Sequence, residues 1–499
     1  MPGCCGSGSW RQFCTGECPR LGPRRRLDPS ARTYGELTVR VTPRQRRVLT
    51  VAILSSFVAF LDGSIINVAL PAISRELGGG LALQQWVVDG YLLSLGALIL
   101  VAGSLSDTFG RVRVLRTGLI WFGITSLACM VAPWAGALVL ARILQGAAAA
   151  LLVPSSLALI TSTFRGAAQG KAIGAWTAWT GVAGIAGPVL GGIMVDTVSW
   201  RLVFGINVIP IAVTLVVLAK IDEPARTGPV TPVDVWGAGL AVVGLGGPVF
   251  ALIEQGRLGW GSPVVLVPLL VGIVAFAGFL WWEARAPYPM MPLGLFRIRN
   301  FGVGNIATVG IYSALSLGFF VVTLYLQEVA GFSATVAGLA GVPVTVMLLL
   351  FATLFGTLAG RYGPRRFMTG GPVVAGVGFL LLIGAVPPID VWLEVVPAVV
   401  LIGLGLAITV APLTSAVLGS IRAEQAGIGS AINNAVSRVA GLVAVALAGT
   451  IIGGVLDVPG FQRVMVVVAV LMFAGGAVSW VGIRTVVVPN PVAEPERPE

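Results

Sequence analysis

Four charged side chains interrupt long apolar stretches of this sequence, and they are the residues best suited to chemistry. Asp62 lies in F-L-D-G-S-I-I-N, Asp89 in W-V-V-D-G-Y, Arg142 in A-R-I-L-Q-G and Arg438 in N-N-A-V-S-R-V-A. An ionised side chain inside a membrane-spanning segment costs about 2.5–3.5 kcal/mol on insertion scales, so each is a functional candidate. A buried acid beside an arginine binds protons with an affinity that its surroundings change. Asp62, Asp89 and Arg142 therefore predict a proton-coupling site, with a static ion pair as the alternative.

Other polar and aromatic residues are candidates for a substrate cavity near that site. Gln145 follows Arg142 by one helical turn and shares its face. The candidate liners are Gln145, Trp176, Trp179, Tyr312 and Arg438. Ordinary helix packing is the alternative for the aromatic residues, and a structural contact with backbone carbonyls is the alternative for Arg438.

The side chains that most enzymes and metal sites use are scarce. The chain has no histidine and five cysteines, of which Cys4, Cys5, Cys14 and Cys18 lie in the first 18 residues. This spacing without histidine is a poor zinc pattern. The run G-A-A-Q-G-K-A at 166–172 is too short for a phosphate-binding loop and lacks its Ser or Thr. We therefore predict no catalytic residues, no metal, no cofactor and no enzymatic activity.

The composition shows which elements must position these residues. The chain has 499 residues, 56% hydrophobic and 11% charged, with a mean hydropathy of +0.93. Runs of 18 or more apolar residues predict membrane-spanning helices, which satisfy their own backbone hydrogen bonds. The fourteen predicted segments are 48–72, 84–104, 114–133, 136–160, 172–195, 201–220, 235–253, 264–282, 301–326, 336–358, 368–388, 394–417, 428–453 and 462–483. The predicted fold class is an all-α polytopic membrane protein with 14 transmembrane helices.

An internal repeat divides these helices. The run G-S-L-S-D-T-F-G-R-V-R at 103–113 recurs as G-T-L-A-G-R-Y-G-P-R-R at 356–366, an offset of 253 residues. Helices 1–6 then match helices 9–14, and two helices remain between them. The predicted plan is an Arg-rich, disordered tail at 1–47, a six-helix bundle at 48–220, two linker helices with loops at 221–300, a second six-helix bundle at 301–483 and a tail at 484–499.

Basic residues alternate between the two sets of loops. One set has only Arg75, Arg201, Arg257 and Arg463, whereas the other has fourteen: Arg111, Arg113, Arg116, Arg165, Lys171, Lys220, Arg226, Arg285, Arg297, Arg299, Arg361, Arg365, Arg366 and Arg422. By the positive-inside rule the basic set and both termini are cytoplasmic. The net charge of +11 thus reflects membrane orientation, and we expect a lipid bilayer rather than nucleic acid as the partner.

Two glycine-containing runs predict a gating turn and a close helix contact, with a purely structural turn and ordinary close packing as the alternatives. In the 103–113 turn we predict a cytoplasmic gating loop made of Gly103, Asp107, Gly110, Arg111 and Arg113. Asp107 is expected to face a helix N-terminus of the other bundle. In the fifth segment, small residues allow close helix approach and Pro188 bends the helix. That run contains Gly187, Pro188, Gly191 and Gly192.

Taken together, these motifs resemble the fourteen-helix drug:proton antiporter branch of the major facilitator superfamily. The turn at 103–113 is similar to the superfamily's signature cytoplasmic loop, although Ser106, Thr108 and Val112 depart from it. Arg142-x-x-Gln145-Gly146 resembles its fourth-helix motif, and L-D at 61–62 with N-V-A-L-P at 67–71 resembles the first-helix motif. Gly187-Pro188-x-x-Gly191-Gly192 is similar to the antiporter motif of exporters. The resemblance implies alternating access, with proton transfer linked to the fourth-helix motif.

The predicted function is proton-coupled export of drug-like amphipathic compounds across the cytoplasmic membrane, driven by the proton gradient. The alternative is a dedicated exporter of one endogenous metabolite, such as an antibiotic, peptide or siderophore. An uptake symporter and a non-transporting membrane enzyme or receptor are weaker alternatives. We expect a monomer whose partners are protons and a small-molecule substrate.

Overall fold

The computed structural model describes residues 42–222, 233–422 and 425–484, with the side chains of Asp107 and Ala167 outside that description. The predicted tails therefore lie outside the described residues, apart from 42–47 and Arg484. The described elements are all helical, as the predicted fold class requires.

Sixteen α-helices follow one another along the described chain. The first half contains α1 (Pro43–Leu77), α2 (Gly80–Phe109), α3 (Arg111–Met130), α4 (Ala135–Thr163), α5 (Gly166–Thr197), α6 (Leu202–Gly205) and α7 (Val208–Leu218). Two helices then connect the halves, α8 (Val235–Leu258) and α9 (Pro263–Glu283). The second half contains α10 (Arg299–Glu328), α11 (Ala334–Tyr362), α12 (Pro364–Leu381), α13 (Val396–Leu418), α14 (Ala426–Ala446), α15 (Ala448–Ile452) and α16 (Val458–Gly482).

Thirteen helices of the described chain are long and apolar enough to cross a membrane. The remaining predicted segment, 201–220, is an apolar stretch that breaks between α6 and α7. The break has a local cause, because Pro210 has no N–H to donate to the carbonyl of Ile206. Asn207 lies at this break, and its side chain points into the bundle.

The first helix begins earlier than predicted. It starts at Pro43, five residues before the predicted position 48, and so includes the last residues of the predicted tail. Thr42 and Gln45 form a reciprocal capping box, with Pro43 in the first helical turn. Polar capping therefore extends the helix beyond its apolar run.

The repeated turn has the same geometry in both halves. Gly110 joins α2 to α3 with φ 100°, and Gly363 joins α11 to α12 with φ 84°. Only glycine adopts such positive φ values without strain. We call the end of the bundle that carries these two turns the basic end, and the other end, where α1 ends and α2 begins, the opposite end.

Helix contacts are densest within each half. In the first half α1 packs on α5 and α4, while α4 also packs on α2 and α3. In the second half α10 packs on α14 and α16, and α12 packs on α13 and α16. Helices α8 and α9 pack on each other, and α8 also contacts α2 and α14. The predicted domain boundaries stay a prediction that this packing supports.

The largest contacts between the halves are those of α5 with α11 and of α2 with α14, and α1 also contacts α10 and α11. At the opposite end Asp196 accepts hydrogen bonds from the Ala334 N–H at 3.1 Å, the Thr335 N–H at 2.8 Å and the Thr335 hydroxyl at 2.6 Å. Gln84 of α2 donates to Glu328 of α10 at 2.6 Å. These polar contacts hold the two halves together at the opposite end.

Candidate functional site

A buried ion pair forms the centre of the candidate site. Asp62 on α1 is fully buried, and its Oδ2 lies 2.6 Å from Nη1 of Arg142 on α4. Its Oδ1 accepts hydrogen bonds from Gln145 Nε2 at 3.0 Å and from Asn207 Nδ2 at 2.8 Å. Three donors thus surround one carboxylate, which is what a buried charge requires. Asp62, Arg142 and Gln145 meet as the sequence predicts.

Arg142 is held from several directions. Its Nε donates to the Val87 carbonyl of α2 at 2.9 Å, and its Nη1 also donates to Gln145 Oε1 at 2.7 Å. The guanidinium lies 4.4 Å from the ring centroid of Tyr91, a cation–π contact. Helices α1, α2, α4 and the start of α7 are therefore joined through one side-chain network.

Two members of this network were not predicted from the sequence. Ser126 on α3 accepts from Gln145 Nε2 at 2.8 Å, and Asn207 lies within 3.4 Å of the same hydroxyl. The available signal for Asn207 was an amide three residues before a proline inside an apolar segment. Serine in a membrane helix gives no comparable signal, because it bonds readily to its own helix backbone.

Asp89 does not join this network. Its side chain is fully buried, and neither carboxylate oxygen has a hydrogen-bond partner among the described residues. Gln85, one turn before it, donates to the Val445 carbonyl of α14 at 2.7 Å, which places this face of α2 against α14. Tyr91, by contrast, contacts the Asp62 network. Asp89 therefore makes no hydrogen bond to Asp62 or Arg142, and its predicted role in proton coupling stays a prediction.

The predicted cavity residues are dispersed. Gln145 belongs to the Asp62 network, while Trp176 donates to Ser56 Oγ of α1 at 2.9 Å. Trp179 is 51% exposed. The Arg438 guanidinium lies 5.6 Å from the ring centroid of Phe60 on α1. Tyr312 is half-buried on α10, a helix that packs on α14. Arg438 therefore lies between the halves, and Trp176 lies between α1 and α5.

The antiporter motif lies where α5 contacts both halves. A Cβ at Gly187 would lie 2.0 Å from Ser64 Oγ, and one at Gly191 would lie 2.5 Å from Ile65 Cγ1, both on α1. A Cβ at Gly192 would lie 2.6 Å from Thr335 Cα on α11. A Cβ at Gly338 of α11 would lie 2.3 Å from the Pro188 carbonyl oxygen. Small residues here allow α5 to touch α1 and α11 together.

The predicted gating loop is partly described. Gly103 lies in α2 and Gly110 forms the turn, while Arg111 Nη1 donates to the Ala158 carbonyl of α4 at 3.1 Å. Arg113 lies in the first turn of α3. The Asp107 side chain lies outside the described residues, so its predicted contact stays a prediction.

Comparisons with known proteins agree with this architecture. The sequence matches the profile of the Major Facilitator Superfamily over residues 52–445 and 306–499. The chain is 33% identical to the puromycin resistance protein pur8 of Streptomyces alboniger, over 83% of this chain and 82% of that protein. It is 34% identical to the tetracenomycin C resistance and export protein of Streptomyces glaucescens, over 81% and 75% of the two chains.

A third relative has a broader description, and solved structures share the fold. The multidrug resistance protein Stp of Mycobacterium tuberculosis (strain CDC 1551 / Oshkosh) is 33% identical over 81% of this chain and 75% of its own. A crystal structure of the peptide transporter POT in complex with sulfate has a TM-score of 0.66 at 16% identity, covering 87% of this chain and 93% of that chain. The buried polar network, the repeated turn and these matches lead to one conclusion: the chain belongs to the Major Facilitator Superfamily of membrane transporters.

Proposed function

We propose that this protein is a proton-coupled antiporter that exports drug-like amphipathic compounds across the cytoplasmic membrane by alternating access. The observation that carries the proposal is the fully buried Asp62–Arg142 pair in a chain of this family. Its relatives include resistance proteins for puromycin, for tetracenomycin C and for multiple drugs, and these support export of such compounds.

A second candidate is a dedicated exporter of one endogenous metabolite. It is favoured by relatives that are described by a single compound, such as the tetracenomycin C resistance and export protein. Both candidates use the same fold and the same proton chemistry, and they differ only in the number of substrates.

The orientation of the chain follows from its basic residues. We place the basic end and both termini in the cytoplasm, with the opposite end outside. The protein acts as a monomer without cofactor or catalysis, and the proton gradient supplies energy at about 2.3 kcal/mol per charge per 100 mV.

Proton binding at Asp62 would loosen the network around it. A protonated carboxyl loses its charge and one accepting oxygen, so the attraction to Arg142 and the bond from Asn207 both weaken. Arg142 then keeps its bonds to the Val87 carbonyl and Gln145. The change frees α1 from α4 and α7, and it links protonation to helix movement.

The other predicted residues act at the moving surfaces. The antiporter motif lets α5 pack against α11, and the loop with Gly103, Asp107, Gly110, Arg111 and Arg113 gates the cytoplasmic end. Arg438, Tyr312 and the tryptophans Trp176 and Trp179 provide candidate contacts for a substrate between the halves. Aromatic and apolar walls with few polar groups suit varied amphipathic ligands.

The test is efflux from a bacterial host that lacks its own drug exporters. Cells producing the protein are challenged with puromycin, tetracenomycin C and a panel of unrelated cationic and neutral toxic compounds. We expect resistance, and the release of protons from acidified everted vesicles when substrate is added, to be lost in Asp62→Asn. The control is Asp222→Asn, which changes an exposed acid outside the helices.

The panel separates the candidates. Resistance to several unrelated compounds supports multidrug export, and resistance to one compound supports a dedicated exporter. Accumulation instead of extrusion would indicate an uptake symporter. Undiminished gradient-dependent efflux by Asp62→Asn would contradict the role of this acid.

A further inference from the structure

Asp89 is an isolated acid in the interior of the bundle. It is fully buried, and both of its carboxylate oxygens lack a donor among the described residues. Burying an ionised carboxylate without donors is far more costly than burying the neutral acid. Asp62, in contrast, accepts hydrogen bonds from three donors, which a buried carboxylate needs. The surroundings of the two acids therefore favour different protonation states.

The neighbours of Asp89 along α2 identify what it faces. Gln85 and Gly96, four residues before and seven after it, contact α14 through the Val445 carbonyl and Val439. Trp86 and Leu93, three residues before and four after it, contact α8 at Glu254 and Gly246. Residues at these spacings share one helical face. Asp89 therefore lies on the face of α2 that meets α8 and α14.

The seam between α2, α8 and α14 is apolar. Its buried cluster contains Val249 and Ile253 of α8 with Leu442 and Ala446 of α14, and Trp86 and Leu93 of α2 pack against it. Helix α8 belongs to the two-helix connection between the halves, and here it lies along the contact between α2 and α14. It thus covers this contact on one side.

The charged groups near the seam make no hydrogen bond to Asp89 among the described residues. Glu254 of α8 accepts from Trp86 Nε1 at 2.9 Å and pairs with Arg257 at 3.0 Å. The Arg438 guanidinium of α14 lies 5.6 Å from the Phe60 ring centroid, and its Nε has no hydrogen-bond partner among the described residues. Arg142 and Asp62 bind each other, with Arg142 bonded to α2 at the Val87 carbonyl.

We propose that Asp89 is a second proton-binding site, separate from the Asp62 network, which exchanges its proton only when α2 and α14 part. In the closed seam the acid is neutral, and α8 excludes lipid and water from it. When α2 parts from α14, water reaches Asp89. The carboxylic acid then transfers its proton to water and becomes a carboxylate. The proposal rests on the proposed alternating-access function, since the α2–α14 contact joins the two halves.

The first test uses the purified full-length protein in detergent and needs no substrate. Dicyclohexylcarbodiimide is an apolar reagent that adds to protonated carboxyl groups in apolar surroundings. Peptide mass spectrometry should find the adduct at Asp89 in the wild type and in Asp62→Asn. Infrared spectra should show a protonated-carboxyl band in the wild type that Asp89→Asn lacks. Absence of both signals would overturn the proposal.

The second test examines access through the seam with a water-soluble carbodiimide. Gln85→Leu removes the bonds to the Val445 and Ala446 carbonyls of α14. The matched control is Gln462→Leu, whose native amide bonds to the Ile383 carbonyl within the second half. We expect a several-fold increase in modification of Asp89 in Gln85→Leu alone. Equal modification in both variants would overturn the gating by α2 and α14.

These outcomes are distinguishable from failure of the proposed function. If the efflux test fails while Asp89 is modified as expected, the proposal that Asp89 is protonated is supported and the proposed transport function is rejected. If efflux is observed but Asp89 is not protonated, the Asp62 network remains as the coupling site and the second site is rejected.

Discussion

At the scale of single residues, the Asp62–Arg142 pair is needed for the stability of the fold as well as for the proposed proton coupling. Both side chains are about 1% exposed, so removing one leaves the other as an unpaired buried charge. Such a loss typically costs about 3–5 kcal/mol. We predict that Arg142→Gln lowers the melting temperature of the detergent-solubilised protein markedly.

The double variant Arg142→Gln/Asp62→Asn provides the matched control. It removes both charges, so it should recover much of the lost thermal stability, while efflux stays absent in the single and double variants. Intrinsic fluorescence melting and the efflux assay measure the two properties separately. A double variant as unstable as Arg142→Gln would argue that shape, rather than charge balance, holds this network together.

Residue types and helical periodicity were sufficient to predict that Asp62, Arg142 and Gln145 meet. The isolation of Asp89 was not predictable in this way. Depth along a helix follows from sequence position, whereas the neighbour that a face meets depends on how α8 and α14 pack around α2. Asn207 was missed for a related reason, since its role depends on the break between α6 and α7.

At the scale of elements, α5 shows why glycine positions differ in importance. A Cβ at Gly192 would lie 2.6 Å from the Thr335 backbone, but one at Gly174 in the same helix would meet no atom within 4 Å. Overpacking of a tight contact costs about 1–3 kcal/mol. We predict that Gly192→Ala lowers thermal stability and efflux, whereas Gly174→Ala leaves both unchanged or slightly raises stability.

The comparison is informative because both substitutions add one methyl group to the same helix. Equal effects of the two variants on melting temperature and efflux would show that close packing of α5 on α11 is unimportant. The two results together therefore test the steric role of the motif without changing charge or polarity.

Helix existence was predictable, and helix boundaries less so. Long apolar runs predicted every spanning segment, because lipid imposes a length and composition that sequence shows directly. The early start of α1 depends on capping by Thr42 and Gln45, and the interruption of 201–220 depends on Pro210. These local features modify an apolar run without changing its hydropathy.

At the scale of the whole molecule, the internal repeat was the strongest predictor of the architecture. Gly110 and Gly363 adopt the same turn in the two halves, as the aligned sequences indicate. The contacts that join the halves at the opposite end were not predictable, because Asp196 lies at the end of an apolar span where polar residues are ordinary. Its role depends on the start of α11, which lies beside it only in the folded chain.

Asp196 should stabilise the closed opposite end. Its carboxylate accepts two backbone N–H groups at the N-terminus of α11 and the Thr335 hydroxyl. A carboxylate is favourable there because the helix N-terminus carries partial positive charge and unpaired donors. We predict that Asp196→Ala shifts the protein toward states open at this end, and that Asp196→Asn has a smaller effect because the amide oxygen still accepts.

Spin labels at Val198, between α5 and α6, and at Leu339, in α11, measure the distance between α5 and α11 at the opposite end. Both positions are exposed. The labels are placed in a chain whose five cysteines are replaced by serine. The wild type should give mainly short distances, and Asp196→Ala should add a longer component. Asp222→Asn, at the basic end, should leave the distribution unchanged. A distribution in Asp196→Ala identical to that of the wild type would assign closure to the α5–α11 packing alone, since that packing does not depend on the carboxylate.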